Sequence, residues 1–355
     1  MDNQAKQFLL ELLNTPSPSG EEWRIQPKWI DYVKPFAHEI RTDLAGNAIG
    51  ILNPDAKFKV LLAGHCDEIG LIVSKIDDRG FVHFDALGGI SQKLAVGMKV
   101  DIYGYGGRVT GVIGANAQHH GGLKDGFEFA DLCIDCGARS KADLAGLVRV
   151  GDSAVYKREP ELLLGDRLSG RGLDNRTGAF IVAETLRRVA ERGASVGVYA
   201  ASTVNEETNM GGAYFAAAGL SPTMAIAIDV TFATDYPGAS TKHEVVALDG
   251  GPVLAKGAPI NRKINRLLEL AAERKGIPLQ YELTPRNTGT DADKIRLTGA
   301  GVPIGLVSLP LRYMHSPVET ASLADIEQEI ELLADMLVHL TGQENLNPLY
   351  EELQA

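Results

Sequence analysis

Apolar residues recur at helical spacing in four stretches of the chain. In the first stretch Phe8, Leu9 and Leu12 fall on one face, which predicts an amphipathic helix near the N-terminus. The other three stretches predict helices over residues 177–192, 261–275 and 322–340. In the stretches 177–192 and 322–340 the apolar residues recur every three or four positions, as in amphipathic helices.

Two short polar motifs have the spacing of a helix capping box. Ser19 is followed by Glu22 ahead of a second helix, and Ser322 is followed by Asp325 at the start of the last one. In a capping box the two side chains satisfy free N–H groups of the first helical turn. We therefore expect both pairs to mark helix starts.

Continuous apolar runs, which are typical of buried strands, lie between the helices. They predict strands at 58–64, 196–204, 224–230 and 302–308. From residue 70 to about 165 the runs are short and glycine is frequent, which is typical of a small all-β module. The pattern predicts a mixed-sheet three-layer α/β sandwich formed by residues 1–69 and 166–355, with a small β-barrel-like domain inserted at 70–165.

The charge balance argues against two classes of partner. Lys and Arg total 35 against 46 Asp and Glu, a net charge of -11, and no basic cluster occurs. Such a chain lacks the positive surface that binds nucleic acid or an anionic membrane. The first 11 residues mix charged with apolar ones, so we expect no secretory signal there, and no apolar run approaches the roughly 20 residues that span a bilayer. Three cysteines are too few for a disulfide framework, so we expect a cytoplasmic protein.

Five segments place histidine or acidic residues at the ends of predicted strands or in the turns that follow. These residues are His65 with Asp67, Asp174, Glu206 with Glu207, Asp229, and His315. Ligands of open α/β sheets gather at the carboxyl ends of strands, so we expect these side chains to lie close together. Two histidines and three carboxylates suit two divalent ions that share one carboxylate, with zinc favoured and cobalt or manganese as substitutes.

The spacing inside two of these segments predicts separate roles. Alternate strand residues share a face, so Asp67 can hold the second ring nitrogen of a metal-bound His65. Of the adjacent Glu206 and Glu207, one can reach a metal while the other takes a proton from a metal-bridging water. Each motif alone has a plainer explanation: Asp174, for example, could simply cap the helix that follows it.

In seven runs, the chain resembles the dinuclear metallo-aminopeptidases that assemble into tetrahedral particles. That family comprises glutamyl, leucyl and deblocking aminopeptidases. The runs, in chain order, are SPSGEE (17–22), GHCDEIG (64–70), GLDNRTGAF (172–180), VNEETNMGGA (204–213), IDVTFATDYPG (228–238), GTDADKI (289–295) and LPLRYMHSPVE (309–319). The GLDNR run and the last run are the most specific.

The resemblance implies a ligand set and further roles. The implied ligands are His65, Asp174 and Asp229 for one metal, and Asp174, Glu207 and His315 for the second. It implies that Glu206 is the general base and that Asp67 orients His65. It also implies that the insert dimerises, that dimers build a dodecamer, and that the substrates are short peptides with free N-termini. We therefore expect a dinuclear aminopeptidase in which a metal-bridged hydroxide is the nucleophile.

Three other functions fit part of the pattern. A related dinuclear carboxypeptidase or N-acyl deacylase would share the metal core. A glycosidase, such as an endoglucanase, needs two carboxylates beside a sugar bond and usually no metal, whereas here the carboxylates come with two histidines. A non-catalytic scaffold would be expected to have lost a ligand or the base, yet all six positions are filled.

Three further pairs of residues are expected to have no part in the chemistry. Cys133 and Cys136 are expected to be buried structural cysteines on opposite faces of a strand, because the chain offers too few further ligands for a structural zinc. The pair 119–120, two histidines in a polar glycine-rich stretch, is expected in an exposed loop. Thr290 and Asp291 are expected to form a helix N-cap.

Overall fold

The computed structural model describes residues 1–240 and 242–349. The helices within that range are α1 (Asn3–Asn14), α2 (Gln26–Val33), α3 (Gln92–Ala95), α4 (Leu173–Arg192), α5 (Glu206–Asn209), α6 (Gly211–Leu220), α7 (Arg262–Lys275), α8 (Ala292–Ile295) and α9 (Leu323–His339). Three of them, α3, α5 and α8, are single turns.

Strands occupy both the N-terminal and the C-terminal parts of the described chain. They are β1 (Glu39–Thr42), β2 (Ala48–Leu52), β3 (Lys59–His65), β4 (Gly70–Ile76), β5 (Val82–Leu87), β6 (Lys99–Gly104), β7 (Gly107–Ile113), β8 (Ile134–Asp135), β9 (Ser153–Tyr156), β10 (Glu161–Leu163), β11 (Arg167–Gly170), β12 (Gly197–Thr203), β13 (Met224–Phe232), β14 (Val253–Gly257), β15 (Gln280–Thr284), β16 (Ile304–Leu311) and β17 (Glu319–Ser322). The four strands predicted from apolar runs correspond to β3, β12, β13 and β16.

An eight-stranded mixed sheet forms the centre of the fold, in the order β1-β2-β12-β3-β13-β16-β14-β15. The four central strands, β12, β3, β13 and β16, run parallel. On either side β2 and β14 pair antiparallel with β12 and β16. The central strands are buried on both faces, which explains why they are continuous apolar runs rather than alternating ones.

Helices cover both faces of this sheet. In β3, Val60 and Leu62 belong to one apolar core, and Leu61 and Ala63 belong to a second core on the opposite face. Residues of α1, α4, α7 and α9 pack into the first core, and residues of α6 and α8 into the second. Because successive strand residues point to opposite faces, each core receives every other residue. The predicted three-layer α/β sandwich is confirmed.

The four predicted helices are confirmed as α1, α4, α7 and α9. The helix α4 begins at Leu173, four residues before the apolar periodicity starts at Thr177, and Asp174 and Asn175 have non-helical dihedral angles. The polar residues at this end carry no helical apolar pattern, so periodicity could not place the start. Asn261 caps α7 by accepting the N–H of Lys263 at 2.9 Å.

The capping box at the last helix forms only in part. The hydroxyl of Ser322 accepts the N–H of Ala324 at 3.2 Å, as a cap should. Asp325 instead accepts the N–H groups of Asp249 and Gly251, at 2.8 and 2.9 Å. The reciprocal half of the prediction is wrong, because a neighbouring loop supplies the acid with partners from outside the helix.

The predicted capping box of Ser19 and Glu22 is wrong. Residues Glu22–Arg24 form a short 3₁₀ turn, and α2 starts after it. Neither side chain caps α2, because both contact a more distant part of the chain, described below.

The glycine-rich stretch forms a closed barrel, β4-β5-β8-β7-β6-β9. Its strands lie between residues 70 and 156 and enclose a third apolar core that includes Val73, Phe84 and Ile102. A small antiparallel sheet, β10-β11-β17, joins the two strands that follow the barrel to a strand near the C-terminal helix. The expected β-barrel-like module is confirmed, whereas the boundaries at residues 69 and 165 stay a prediction.

Two smaller expectations concern the barrel segment. Cys133 and Cys136 lie on either side of β8, which is only two residues long, and both are half-buried rather than buried. His119 and His120 are exposed, as expected. No helix among the described residues is long and apolar enough to cross a bilayer.

The helix α9 carries an acid within the core. Glu329 is fully buried, and neither of its carboxyl oxygens has a hydrogen-bond partner among the described residues. Burial raises the pKa of Glu329 well above its ordinary value, and the nearby Asp325 and Asp229 raise it further. The folded protein therefore keeps this proton at pH values where the unfolded chain has lost it.

Replacing Glu329 by glutamine tests whether the folded protein keeps Glu329 protonated. In the wild type the folded state binds more protons than the unfolded state above the ordinary pKa, so its stability falls as pH rises through that window. Glutamine does not ionise. We expect the free energy of unfolding of Glu329→Gln to gain on that of the wild type between about pH 5 and about pH 8, measured by urea unfolding. Glu159→Gln, which removes an exposed carboxyl, should show no such trend. A pH-independent difference for Glu329→Gln would contradict the argument.

Candidate metal centre and active site

The residues predicted to form the site come from several elements that meet at one edge of the central sheet. They are His65 at the end of β3, Asp174 at the start of α4, Glu206 and Glu207 in α5 directly after β12, Asp229 in β13, and His315 in the loop after β16. The strands β3, β12, β13 and β16 are parallel, so their carboxyl ends share this edge. The structure thus brings together all the residues that sequence position predicted to converge.

Asp174 lies between the two histidines. Its Oδ1 is 3.3 Å from Nε2 of His65, and its Oδ2 is 3.2 Å from Nε2 of His315. Each carboxylate oxygen therefore faces a different imidazole, which is the arrangement of a carboxylate shared by two clusters of donors.

The other carboxylates divide between these clusters. On one side Nε2 of His65 is 3.6 Å from Oε2 of Glu206 and 4.0 Å from Oδ1 of Asp229. On the other side Nε2 of His315 is 3.4 Å from Oε2 of Glu207. The two clusters lie next to each other and share Asp174.

The site concentrates negative charge away from water. Burial raises the pKa of Glu206 to about 10, and the neighbouring Asp229 contributes although His65 opposes the rise. Burial likewise raises the pKa of Glu207 and of Asp229 well above the ordinary values. Burial also acts to raise the pKa of Asp174, but its contacts with the two imidazoles prevail and lower it. Carboxylates placed this close cannot all ionise unless cations accompany them.

The donor set fits a metal centre. A nitrogen of His65 and oxygens of Glu206 and Asp229 lie within 4.8 Å of one another, and so do donors of His65, Asp174 and Glu207. The Oε1 atom of Glu207 is buried and has no hydrogen-bond partner among the described residues. Imidazole nitrogens and carboxylate oxygens are ligands that zinc and related divalent ions accept. A divalent cation would offset the buried negative charge.

Asp67 makes the contact with His65 that the sequence predicted. It is fully buried, and both its Oδ1 and its backbone oxygen lie near Nδ1 of His65, at 3.3 and 3.2 Å. Its carboxylate also accepts the backbone N–H of Glu206 at 3.0 Å and that of Glu207 at 3.2 Å. Asp67 therefore holds both the imidazole and the turn that carries the two glutamates.

Two residues that hold His315 were not predicted. The ring Nδ1 of His315 lies 2.8 Å from the backbone oxygen of Gly89. The backbone N–H of His315 donates to the carboxylate of Glu319 at 2.8 Å. A Cβ atom at Gly89 would lie 2.8 Å from that imidazole nitrogen, so glycine is needed there. Glu319 also accepts the N–H of Asp174 at 3.2 Å, and its carboxyl is buried. Glu319 lies in the run LPLRYMHSPVE, whereas nothing in the sequence pointed to Gly89.

Thr290 and Asp291 differ in what they do. The hydroxyl of Thr290 accepts the N–H of Ala292, the first residue of α8, at 3.2 Å, as expected for a cap. Asp291 makes no side-chain cap, so that part of the expectation is wrong. Its Oδ2 instead accepts the hydroxyl of Thr203 at 2.6 Å. Burial raises the pKa of Asp291 to about 7, and this acid lies behind the site at the end of β12.

A cavity of about 750 Å³ opens from the two donor clusters. Its other wall is formed by the end of β13, by β15 and by residues 287–297. Glu282, Lys294 and Arg296 are among the residues that line this wall, which therefore carries charges of both signs. The size lies within the range of pockets that bind small-molecule ligands.

The family model described as M42 glutamyl aminopeptidase matches residues 46–332, which include every residue of the two clusters. The chain belongs to this family. A putative aminopeptidase of Acetivibrio thermocellus is 35% identical over 90% of this chain and 94% of its own length. A lysyl aminopeptidase of Pyrococcus furiosus is 31% identical over 94% of this chain and 97% of its own length.

The fold is also that of solved members. The TET1 peptidase of Pyrococcus horikoshii, described as assembling into a tetrahedron or a large octahedral shell, superposes with a TM-score of 0.84. The two are 32% identical, over 95% of this chain and 100% of that one. The resemblance to the tetrahedral aminopeptidases is confirmed. The chain is a peptidase, a hydrolase of a metal-dependent family.

Binding of a divalent cation is expected to release protons. Because burial and mutual repulsion raise the pKa of Glu207 and Asp229, these acids hold their protons to higher pH than free carboxyls do, and a cation must displace the protons that they hold. The affinity for the cation should therefore rise with pH.

Calorimetric titration of metal-free protein with Zn²⁺ measures this release. At about pH 6.5 the apparent binding enthalpy should differ between two buffers of different ionisation enthalpy. Equal enthalpies in the two buffers would show that no proton leaves, contrary to the expectation.

Proposed function

We propose that this chain is a dinuclear aminopeptidase. The proposed ligands are His65, Asp174 and Asp229 for one divalent ion, and Asp174, Glu207 and His315 for the other. The observation that carries the proposal is the position of Asp174, which presents one carboxylate oxygen to each histidine. The mixed nitrogen and oxygen donor set favours zinc, with cobalt or manganese as substitutes.

The chain's own residues have distinct tasks in this proposal. When bound, the two ions polarise the scissile carbonyl and lower the pKa of a water molecule. Glu206, whose carboxyl lines the cavity, takes the proton of the attacking water and delivers it to the leaving amine. The carboxylate of Asp67 keeps Glu206 in place by accepting the backbone N–H of Glu206, and it also orients His65. Burial raises the pKa of Glu206 when no metal is bound; cations beside it would offset the neighbouring negative charge and favour its ionised form, which is the form that can take a proton.

The proposed substrates are short peptides with free N-termini. Support comes from the family and from relatives named aminopeptidases, one of them a lysyl aminopeptidase. The cavity beside the donor clusters would receive the N-terminal end of such a peptide. Because its wall carries Glu282 as well as Lys294 and Arg296, assays should compare acidic, basic and apolar N-terminal residues.

The proposal extends to assembly and location. We infer that the barrel of residues 70–165 is a dimerisation module and that dimers build a dodecamer. A relative described as forming a tetrahedron or an octahedral shell supports this inference. A cytoplasmic location is supported by the cysteines, none of which forms a disulfide within the described residues.

The rival functions differ from an aminopeptidase either in the end of the substrate that they recognise or in their need for metal. A dinuclear carboxypeptidase or N-acyl deacylase would use the same ions but would accept a blocked N-terminus. A glycosidase would place its two acids without metal, whereas here each acid cluster includes a histidine. Matched free and blocked peptides separate the first group, and dependence on metal separates the second.

The variant Glu206→Gln tests the role of the base. Glutamine keeps the size of the side chain but cannot take a proton, so we expect kcat to fall by about 10²–10⁴-fold. The metal content should stay at the wild-type value, because Glu206 is not a ligand in this proposal. Wild-type turnover would refute the assignment. Loss of metal would show that Glu206, which lies 3.6 Å from Nε2 of His65, is itself a ligand.

The variant Asp174→Ala is the contrasting control for that experiment. Removal of the shared carboxylate should abolish binding of both ions as well as turnover. A variant that kept both ions would show that Asp174 does not bridge them.

A further inference from the structure

The segment Ser17–Glu22 precedes the residues that the family model matches, yet it reaches the catalytic turn. Glu22, which is only 6% exposed, points its Oε1 atom at two backbone N–H groups. One belongs to Gly20, at 2.9 Å, and the other to Asn205, at 3.0 Å. Asn205 directly precedes Glu206, so Glu22 contacts the backbone next to the proposed base.

Ser19 reaches the same turn through Asp67. The hydroxyl of Ser19 donates to Oδ2 of Asp67 at 2.6 Å. The carboxylate of Asp67 in turn accepts the N–H groups of Glu206 and Glu207. Together, the carboxylates of Glu22 and Asp67 accept hydrogen bonds from three consecutive backbone N–H groups, those of residues 205–207.

The turn depends on these outside acceptors. Asn205 has φ +58°, a left-handed conformation that few residues other than glycine adopt. The single-turn helix α5 follows it and has no side-chain cap of its own. The first N–H groups of a helix have no partner inside the helix, so another part of the chain must supply one. Here that part is the segment Ser17–Glu22, directly and through Asp67.

The same segment is fastened to the end of β3. The hydroxyl of Ser17 donates to the backbone oxygen of Cys66 at 2.7 Å. The backbone N–H of Glu68 donates to the backbone oxygen of Ser17 at 2.9 Å. Glu68 is itself held by ion pairs with the buried Arg171 and Arg176. These contacts fix the segment that carries Glu22 to the end of β3, which is the strand that carries His65. Glu22 can therefore hold the turn at a set distance from His65.

We propose that Glu22 is a positioning residue for the general base. Its carboxylate holds Asn205 in the left-handed conformation from which Glu206 enters the cavity, and Ser19 supports the same turn by fixing Asp67. The inference rests on the proposed role of Glu206. Glu22 does not touch the substrate or either donor cluster in this account, so its loss affects the rate of the chemical step rather than binding.

The variants Glu22→Ala and Glu22→Gln separate positioning from charge. A displaced catalytic group can cost about 10²-fold in rate, so we expect kcat of Glu22→Ala to fall by about 10–100-fold. The KM for an aminoacyl chromogenic substrate and the metal content should stay within about twofold of the wild type, because Glu22 contacts neither the substrate nor either donor cluster. Glu22→Gln keeps an oxygen acceptor for both N–H groups and should restore kcat to within about threefold of the wild type.

The matched control is Glu21→Ala at the adjacent position. The carboxylate of Glu21 contacts Trp23 and Arg24, away from the turn, and this variant should keep wild-type kcat. If Glu22→Ala does not fold, Glu22→Asp serves in its place, because the side chain shorter by one carbon draws the acceptor away from the N–H of Asn205 and should lower kcat in the same direction.

Two outcomes overturn the inference: wild-type kcat in Glu22→Ala or its substitute, or a Glu22→Gln variant as slow as Glu22→Ala. Parallel measurement of Glu206→Gln distinguishes the two levels of the account. An inactive Glu206→Gln beside a fully active Glu22→Ala defeats only the positioning role. An active Glu206→Gln defeats the proposed base, and the positioning role with it.

Discussion

Buried negative charge at the carboxyl edge of the central sheet is the constraint on which the site depends. Asp174, Glu206, Glu207 and Asp229 lie within a few ångströms of two imidazoles, and burial raises the pKa of three of the four acids. An unpaired buried charge is costly, so such a cluster persists only with protons or with cations. Divalent ions resolve the conflict and at the same time supply the chemistry that hydrolysis of an amide needs.

The parallel strands and the loops around them make this cluster possible. Parallel pairing of β3, β12 and β13 places residues at or near the carboxyl ends of three separate strands side by side. The second cluster needs one contact from the barrel segment, where the backbone oxygen of Gly89 holds the ring of His315. The barrel thus helps to set the geometry of the site as well as forming a separate module of the fold.

The sequence predicted which residues converge better than it predicted the residues that support them. His65, Asp174 and Asp229 follow or begin recognisable apolar elements, so a sheet topology was enough to bring them together. The partners of Ser19 and Glu22 were missed, because the same spacing also fits a helix cap and local sequence cannot show contacts made 48 and 183 residues away. Gly89 was missed because its role is to leave room for His315, and one glycine in a glycine-rich stretch carries no signal for that.

The most direct test of the account is cleavage of one peptide in two forms, with a free and with an acetylated N-terminus, before and after chelation. The account predicts that the purified protein releases the first residue of the free peptide only, that chelation stops this release, and that added Zn²⁺ restores it. Cleavage of the acetylated peptide, or cleavage that survives complete removal of metal, would contradict it.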